Sequence, residues 1–284
     1  IVFNIILYIA LIIMHKHKFI FQVLISFTAL CASIAYAADD LSPIPKPSEQ
    51  WRFSVVPYVW TPGIKSTLNF SDGLVKTADY SSGNVLSNLK TGGMIAGEAH
   101  YGNWGLMGDV LSATLQNTGN IPLVLPTRAN GAVRATLADK VTLQQTILTG
   151  AATYTVANTK DLYLDGLLGV RAIYATATLN LALDGGRHQA SDAKTTSTLD
   201  PIAGFKGRYR LAESSWYIPF YGDIGSGGGT TNLTWQAMLG VGKRFNDLID
   251  VSLTYRALYY DMNNGGVLQK TTMQGPQLAL SLNF

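Results

Sequence analysis

The chain ends in Gln277-Leu278-Ala279-Leu280-Ser281-Leu282-Asn283-Phe284, and this stretch decides the fold. Leu278, Leu280, Leu282 and Phe284 fall on one face and Gln277, Ala279, Ser281 and Asn283 on the other, the period of two of a β-strand. Upstream segments repeat it. Val251, Leu253, Tyr255, Ala257 and Tyr259 oppose Ser252, Thr254, Arg256 and Tyr260; Leu233, Trp235, Ala237, Leu239 and Val241 oppose Thr234, Gln236, Gly240 and Gly242. Trp216, Ile218 and Phe220 likewise oppose Tyr217, Tyr221 and Asp223. Such alternation suits a soluble sheet with one wet face or a barrel with lipid outside and polar groups within. Composition favours the second: 47% of the 284 residues are hydrophobic and 14% charged, apolar for a soluble protein. A helical membrane protein is excluded, because spans of roughly 20 apolar residues fit only the first 37 residues.

Counting back from Phe284, strands are expected near 271–284, 250–262, 230–244, 216–225, 198–210, 161–183, 133–157, 104–116, 92–101 and 51–70. Alternate connections are short: Gly102-Asn103, Asn158 to Lys160, Leu211 to Ser215 and Asn246 to Ile249. The others, Ser71 to Thr91, Asn117 to Ala132, Asp184 to Ser197 and Asn263 to Lys270, are longer, and Ser226 to Gly229 is the exception. Short periplasmic turns and long outside loops are the layout of bacterial outer-membrane barrels. Trp51, Tyr101, Trp104, Tyr209, Trp216, Phe245 and Phe284 fall at the short-turn ends, as an interfacial aromatic girdle would. The expected fold is thus an all-β transmembrane antiparallel up-and-down barrel of ten strands. Eight or twelve stay open, because Thr61-Pro62-Gly63 suits either a kink in one long strand or a hairpin turn.

The N-terminus reads as an export signal. From Met14, His15-Lys16-His17-Lys18 is a basic region, Phe19 to Ile34 an apolar one, and Ala35-Tyr36-Ala37 a small-residue cleavage site. Residues 1–13 read as an overlong gene start, 14–37 as a signal peptide, 38–50 as a proline-containing linker (Pro43, Pro45, Pro47) and 51–284 as the barrel. Leu30 before Cys31 argues against a lipoprotein, and cleavage removes the only cysteine. Without Lys16 and Lys18 the exported chain holds 19 Lys+Arg against 18 Asp+Glu, with no basic stripe for nucleic acid.

Pro57-Tyr58-Val59-Trp60, the run Gly97-Glu98-Ala99-His100-Tyr101-Gly102-Asn103-Trp104-Gly105-Leu106-Met107-Gly108-Asp109, Tyr221-Gly222-Asp223-Ile224-Gly225, Leu233-Thr234-Trp235-Gln236 and Tyr255-Arg256-Ala257-Leu258-Tyr259-Tyr260-Asp261 resemble segments of a family of Gram-negative outer-membrane β-barrel proteins. The resemblance covers most of residues 38–284 and implies fold and outer-membrane location. It carries over no catalytic residue, because that family has no well-defined activity. The aromatic end at Phe284 also resembles the assembly signal of such barrels, which implies the barrel-assembly machinery as a partner beside outer-membrane lipid and lipopolysaccharide. A monomer is expected.

Alternation turns Arg52, Glu98, Asp109, Asp165, Arg171, Asp200, Lys206, Arg208, Asp223, Arg244 and Arg256 inward. In the narrow lumen of a ten-stranded barrel such charges have to pair, since an unpaired buried charge costs several kcal/mol. Two readings follow: a closed structural barrel with an ion-paired lumen, or a narrow passive pore for small solutes in which inward Gly240 and Gly242 leave room for water. A third class is a binding protein using loops 71–91, 117–132 and 184–197, and a fourth is a lipid-modifying enzyme. Catalysis is not expected. His188, Ser191 and Asp192 share one loop, and mobile loops do not hold a triad in register; His100 reads as a lumen hydrogen-bond partner. HExxH, P-loop and metal-cluster motifs do not occur, so no cofactor or metal is expected. Asn84 to Lys90, with Val85, Leu86 and Leu89, suits a short amphipathic helical turn at the rim or mouth. Ile121 to Pro126 is an apolar run in an outside loop.

Overall fold

The computed structural model describes residues 41–69, 75–126, 132–183, 188–227, 231–264 and 267–284. The expected leader and Cys31 lie outside them. In Ser42–Phe284 the elements are β1 (Arg52–Trp60), β2 (Gly63–Asn69), β3 (Val75–Tyr80), α1 (Ser82–Asn88), β4 (Leu89–Tyr101), β5 (Trp104–Pro126), β6 (Ala132–Asn158), β7 (Leu162–Leu183), β8 (His188–Arg210), β9 (Trp216–Gly225), β10 (Thr231–Arg244), β11 (Ile249–Asn264) and β12 (Val267–Asn283). The sheet runs β1-β4-β5-β6-β7-β8-β9-β10-β11-β12, and β12 pairs back onto β1. These ten strands form a closed antiparallel barrel. Phe284 makes the closure, its N–H donating to Phe53 O at 2.8 Å and its carbonyl accepting from Phe53 N at 3.0 Å. Where the ladder closes, no edge is left for another chain to pair with.

Thr61-Pro62 is a kink and not a hairpin turn. Trp60 pairs with Gln277 and Gly63 with Gln274, so two residues separate the pairs on each side and the register is unchanged. β1 and β2 are one strand interrupted where Pro62 lacks an N–H. At this point the chain leans onto β12: Thr61 N donates to Pro276 O at 3.1 Å and the Trp60 indole to Gly275 O at 3.2 Å. The approach needs glycine, since a Cβ on Gly275 would lie 2.3 Å from Thr61 O. β3 then folds back along β2, so that with β2 counted apart from β1 two strands stand beyond the ten.

Three expected loops are largely ladder. β5–β6 pairing reaches Pro126 and Ala132, β7–β8 reaches Leu183 and His188, and β11–β12 reaches Asn264 and Val267. Strands β5 to β8 have 23, 27, 22 and 23 residues, against about 9–11 to cross a bilayer. The outward side chains mark the change of medium. On β8, Tyr209, Phe205 and Leu199 are exposed and apolar, whereas Ser197, Thr195 and Ser191 are exposed and polar. The same ring separates Val110 from Ser112 on β5 and Leu148 from Thr146 on β6, and Ser112 and Thr146 share a hydrogen bond of 3.0 Å. Trp51, Tyr101, Trp104, Tyr154, Tyr209, Trp216 and Phe284 ring the short-turn end, all exposed; Phe245 is half-buried, with Lys243 Nζ 5.3 Å from its ring.

Residues 42–48 cross that same end. Arg244 Nη1 donates to Ser42 O at 3.0 Å, Arg208 Nη1 to Pro43 O at 3.3 Å, Asn158 Nδ2 to Pro45 O at 2.7 Å and Gly102 N to Ser48 O at 2.8 Å. Pro43 and Ile44 are buried. What reads as a linker from its prolines is a strap tied through its carbonyls, the groups that proline keeps.

Candidate functional site

The lumen is filled in three layers. Nearest the short turns, Lys206 Nζ bridges Glu98 Oε2 and, at 3.7 Å, Asp165 Oδ2, while His100 Nε2 lies 3.3 Å from Glu98 Oε2. Thr155 Oγ1 donates to Asp165 Oδ1 at 2.8 Å, and the Tyr163 hydroxyl lies 3.2 Å from Thr155 Oγ1 and 3.5 Å from His100 Nδ1. Arg208 donates to Asp250 Oδ2 at 2.7 Å and covers the Tyr217 ring at 4.9 Å. Arg244 ties the strap to its own turn through Asn246 O at 3.1 Å and Asp247 Oδ1 at 3.0 Å. Arg52 is half-buried beside His100 in register.

One level up are two arginine centres. Arg171, fully buried, holds Asp223 in a two-pronged pair, Nη1 reaching Oδ1 at 2.9 Å and Nη2 reaching Oδ2; Nη1 also reaches Thr234 Oγ1 at 3.2 Å, and Tyr221 donates to Asp223 Oδ2 at 2.5 Å. Asp200, its cross-strand neighbour, is also fully buried and accepts from Thr198 Oγ1 at 3.3 Å. Arg256 donates to Asp109 Oδ2 and Gln236 Oε1 at 2.8 Å each, to Tyr58 OH at 3.0 Å and to Gln277 Oε1 at 3.3 Å. Its guanidinium lies 4.9 Å from the Trp60 ring.

Above Trp60 the described lining loses its charge. Trp60, Leu111, Ile147, Ile173, Leu258, Met262 and Met273 are buried against one another inside the barrel, with Tyr58 and Tyr260, and Val56, Ile64, Met94 and Ala96 pack on them. Tyr260 finds a partner for its hydroxyl in Gln145 Nε2 at 3.2 Å. This apolar layer departs from the polar interior expected from alternation. Inward positions 258 and 262 continue the series that Arg256 begins, so the parity is that of the lower lumen and only the residue type changes.

All eleven residues singled out in the sequence lie on the lumen side or, for Arg244, at its strap-covered end, and the structure joins most of them in ion pairs. Asp250 was missed, although it shares the parity of Ser252, Thr254 and Arg256, and so was buried Arg210, which shares that of Lys206 and Arg208. Tyr217, Tyr221 and Tyr260 fall on the face the pattern turns inward, but inward Tyr58 and Tyr163 and the strap were missed. The space above Gly242 is not a water path: a Cβ there would lie 2.4 Å from Tyr217 Cζ, so that ring already occupies it. Among the described residues no group of three metal-ligating side chains forms. The side chains of His188 and Asp192, and those of Ile121 to Pro126, lie outside the described residues.

No family model matches the chain, and no curated protein sequence does. Among solved structures it is similar to the outer-membrane protease OmpT of Escherichia coli, at 8% identity over 86% of this chain and 100% of that one, with a TM-score of 0.54. The attachment invasion locus protein Ail of Yersinia pestis matches at 14% identity over 84% of this chain and 100% of that one, with a TM-score of 0.34. The fold that emerges from pairing, belt and comparison is that of the outer-membrane β-barrels.

Proposed function

We propose that this chain is a monomeric, non-conducting barrel of the Gram-negative outer membrane whose work is done by the wall it raises above the lipid. The observation that carries this is the filled lumen: a strap, a charged layer and an apolar layer succeed one another along the axis, and Asp165, Arg171, Asp200, Asp250 and Leu258 are all without solvent exposure. A side-chain core of this kind is what a small barrel supports, whereas wide aqueous channels need about 16 strands. The narrow-pore reading loses to it. Export by the leader before Ala37 and insertion by the assembly machinery through the strand ending at Phe284 belong to the same proposal. No reaction is assigned.

The elongated β5–β8 strands favour surface binding as the activity. Their outer face above the belt is hydroxyl- and amide-bearing, with Thr176 and Thr195 joined at 3.0 Å beside Ser112, Thr146 and Gln144. Such a face suits the saccharide of lipopolysaccharide or of a neighbouring surface. Swelling of proteoliposomes in isotonic arabinose tests closure. No swelling beyond that of protein-free liposomes is expected; rapid swelling from folded protein would restore the pore.

A further inference from the structure

The barrel wall has a window. β1 pairs with β4 only from Arg52–His100 to Pro57–Ile95. Above that pair, Tyr58, Val59 and Trp60 still pair with β12, and Leu89 to Met94 of β4 still pair with β5, but the two strands do not pair with each other. The cause is local. Beyond Pro57 the chain leans onto Gly275 and Pro276 of β12, away from β4. Trp60 N, left without a β4 carbonyl, donates instead to the Met94 thioether at 3.2 Å. The window is closed above by α1, which touches β2, β3 and β5. On the β1 side Tyr58 to Trp60 make it about 10 Å tall at ~3.3 Å per residue.

Three observations say what fits it. The window opens at the outer edge of the lipid belt, since Ile95 lies level with Val110 and Leu148 in the last apolar ring, and Gly93 with Ser112 and Thr146 in the first polar one. Its lips are apolar outside, where Val59 and Ile95 are exposed, and it leads inward to the uncharged layer, whose Met94, Met262 and Met273 are adaptable side chains. Lys90, the extra residue of a β-bulge at the upper corner, is exposed, as is Lys65 on β2, which lies across from Asp79 of β3.

We infer that the window between β1 and β4 admits the tail of a long-chain carboxylate from the outer leaflet into the apolar upper lumen, with Met94 and α1 yielding and Lys90 and Lys65 meeting its headgroup. α1 suits this part. It is seven residues long, presents buried Val85 inward and exposed Leu86 outward, and a helix so short needs packing beyond its own hydrogen bonds to persist.

The test uses the full chain in outer-membrane vesicles, in a Cys31→Ser background, with palmitic acid bearing a diazirine near its methyl end. Photolabel mapped by mass spectrometry is expected on inward Met262, Leu258 or Met273. Val59→Cys with Gly93→Cys, the positions that would face each other if the ladder continued, should abolish inward label when oxidised and restore it on reduction, which controls for folding. Lys90→Glu with Lys65→Glu should lower label from palmitate and spare that from the corresponding fatty alcohol. Label confined to outward Val59, Ile95 and Leu253, or inward label indifferent to the staple, overturns the portal. Equal loss of acid and alcohol label overturns the headgroup assignment. The inference rests on the barrel lying in a bilayer and not on its failing to conduct: outward label alone leaves the closed barrel standing.

Discussion

Below Trp60 the lumen is filled largely by paired charges; above it, among the described residues, by side chains that carry none. The lower half holds its shape because most of its carboxylates are fixed by a base, as Asp223 is by Arg171 and Asp109 by Arg256. Removal of one member leaves the other buried and uncompensated. The upper half has no such bookkeeping. Leu258, Ile147 and Met273 are held by contact alone, and contact is regained by repacking, which is why a lipid-facing window is tolerable there and would be ruinous one layer lower.

Variants that separate the halves follow from this contrast. Arg171→Ala should be the most damaging, by about 3–5 kcal/mol, because it strands buried Asp223; urea titration of the refolded protein in micelles reads it. Arg171→Met with Asp223→Leu should recover most of that loss, and a double variant as unstable as the single one would break the comparison. Leu258→Ala in the upper layer should cost about 2–5 kcal/mol, and Leu258→Met less than about 1.5 kcal/mol. An equal cost for the two would mean that the upper layer does not repack. Gly242→Ala sets a methyl against Tyr217 and should cost about 1–3 kcal/mol in the same titration. Least of all, Ser81→Ala removes the cap that accepts from Asn84 N at 3.3 Å. It should cost about 1 kcal/mol or less of local stability, seen as faster amide exchange in α1 with the barrel midpoint unmoved.

The barrel was legible where lipid meets one face and the lumen the other, for there alternation is a sharp signal. Leu253 and Tyr255 point out while Thr254 and Arg256 point in, as the sequence implies. Outside the belt that contrast disappears. Ser191, Thr195 and Ser197 on β8 face water, so an extended strand reads as a polar loop. The inward apolar layer was illegible for the opposite reason, since the rule of polar lumens says nothing of a region where the barrel packs like a soluble core. The strap left no signal because its bonds run through backbone carbonyls, which no side-chain pattern reports. Helix α1 was visible as Val85, Leu86 and Leu89, but starts two residues early, where Ser81 caps it, and Leu89 already belongs to β4.

Closure by two seals in series is tested most directly by planar-bilayer conductance under a salt gradient, on protein whose folding is shown by its heat-modifiable gel mobility. Wild type should be silent, as should an upper-layer variant, Trp60→Ala with Leu258→Ala. Openings should arise only when the charged layer is also cut by Arg256→Ala. Steady, ion-selective openings in the wild type, with selectivity altered by Arg256→Ala, would contradict the closed lumen and establish a pore.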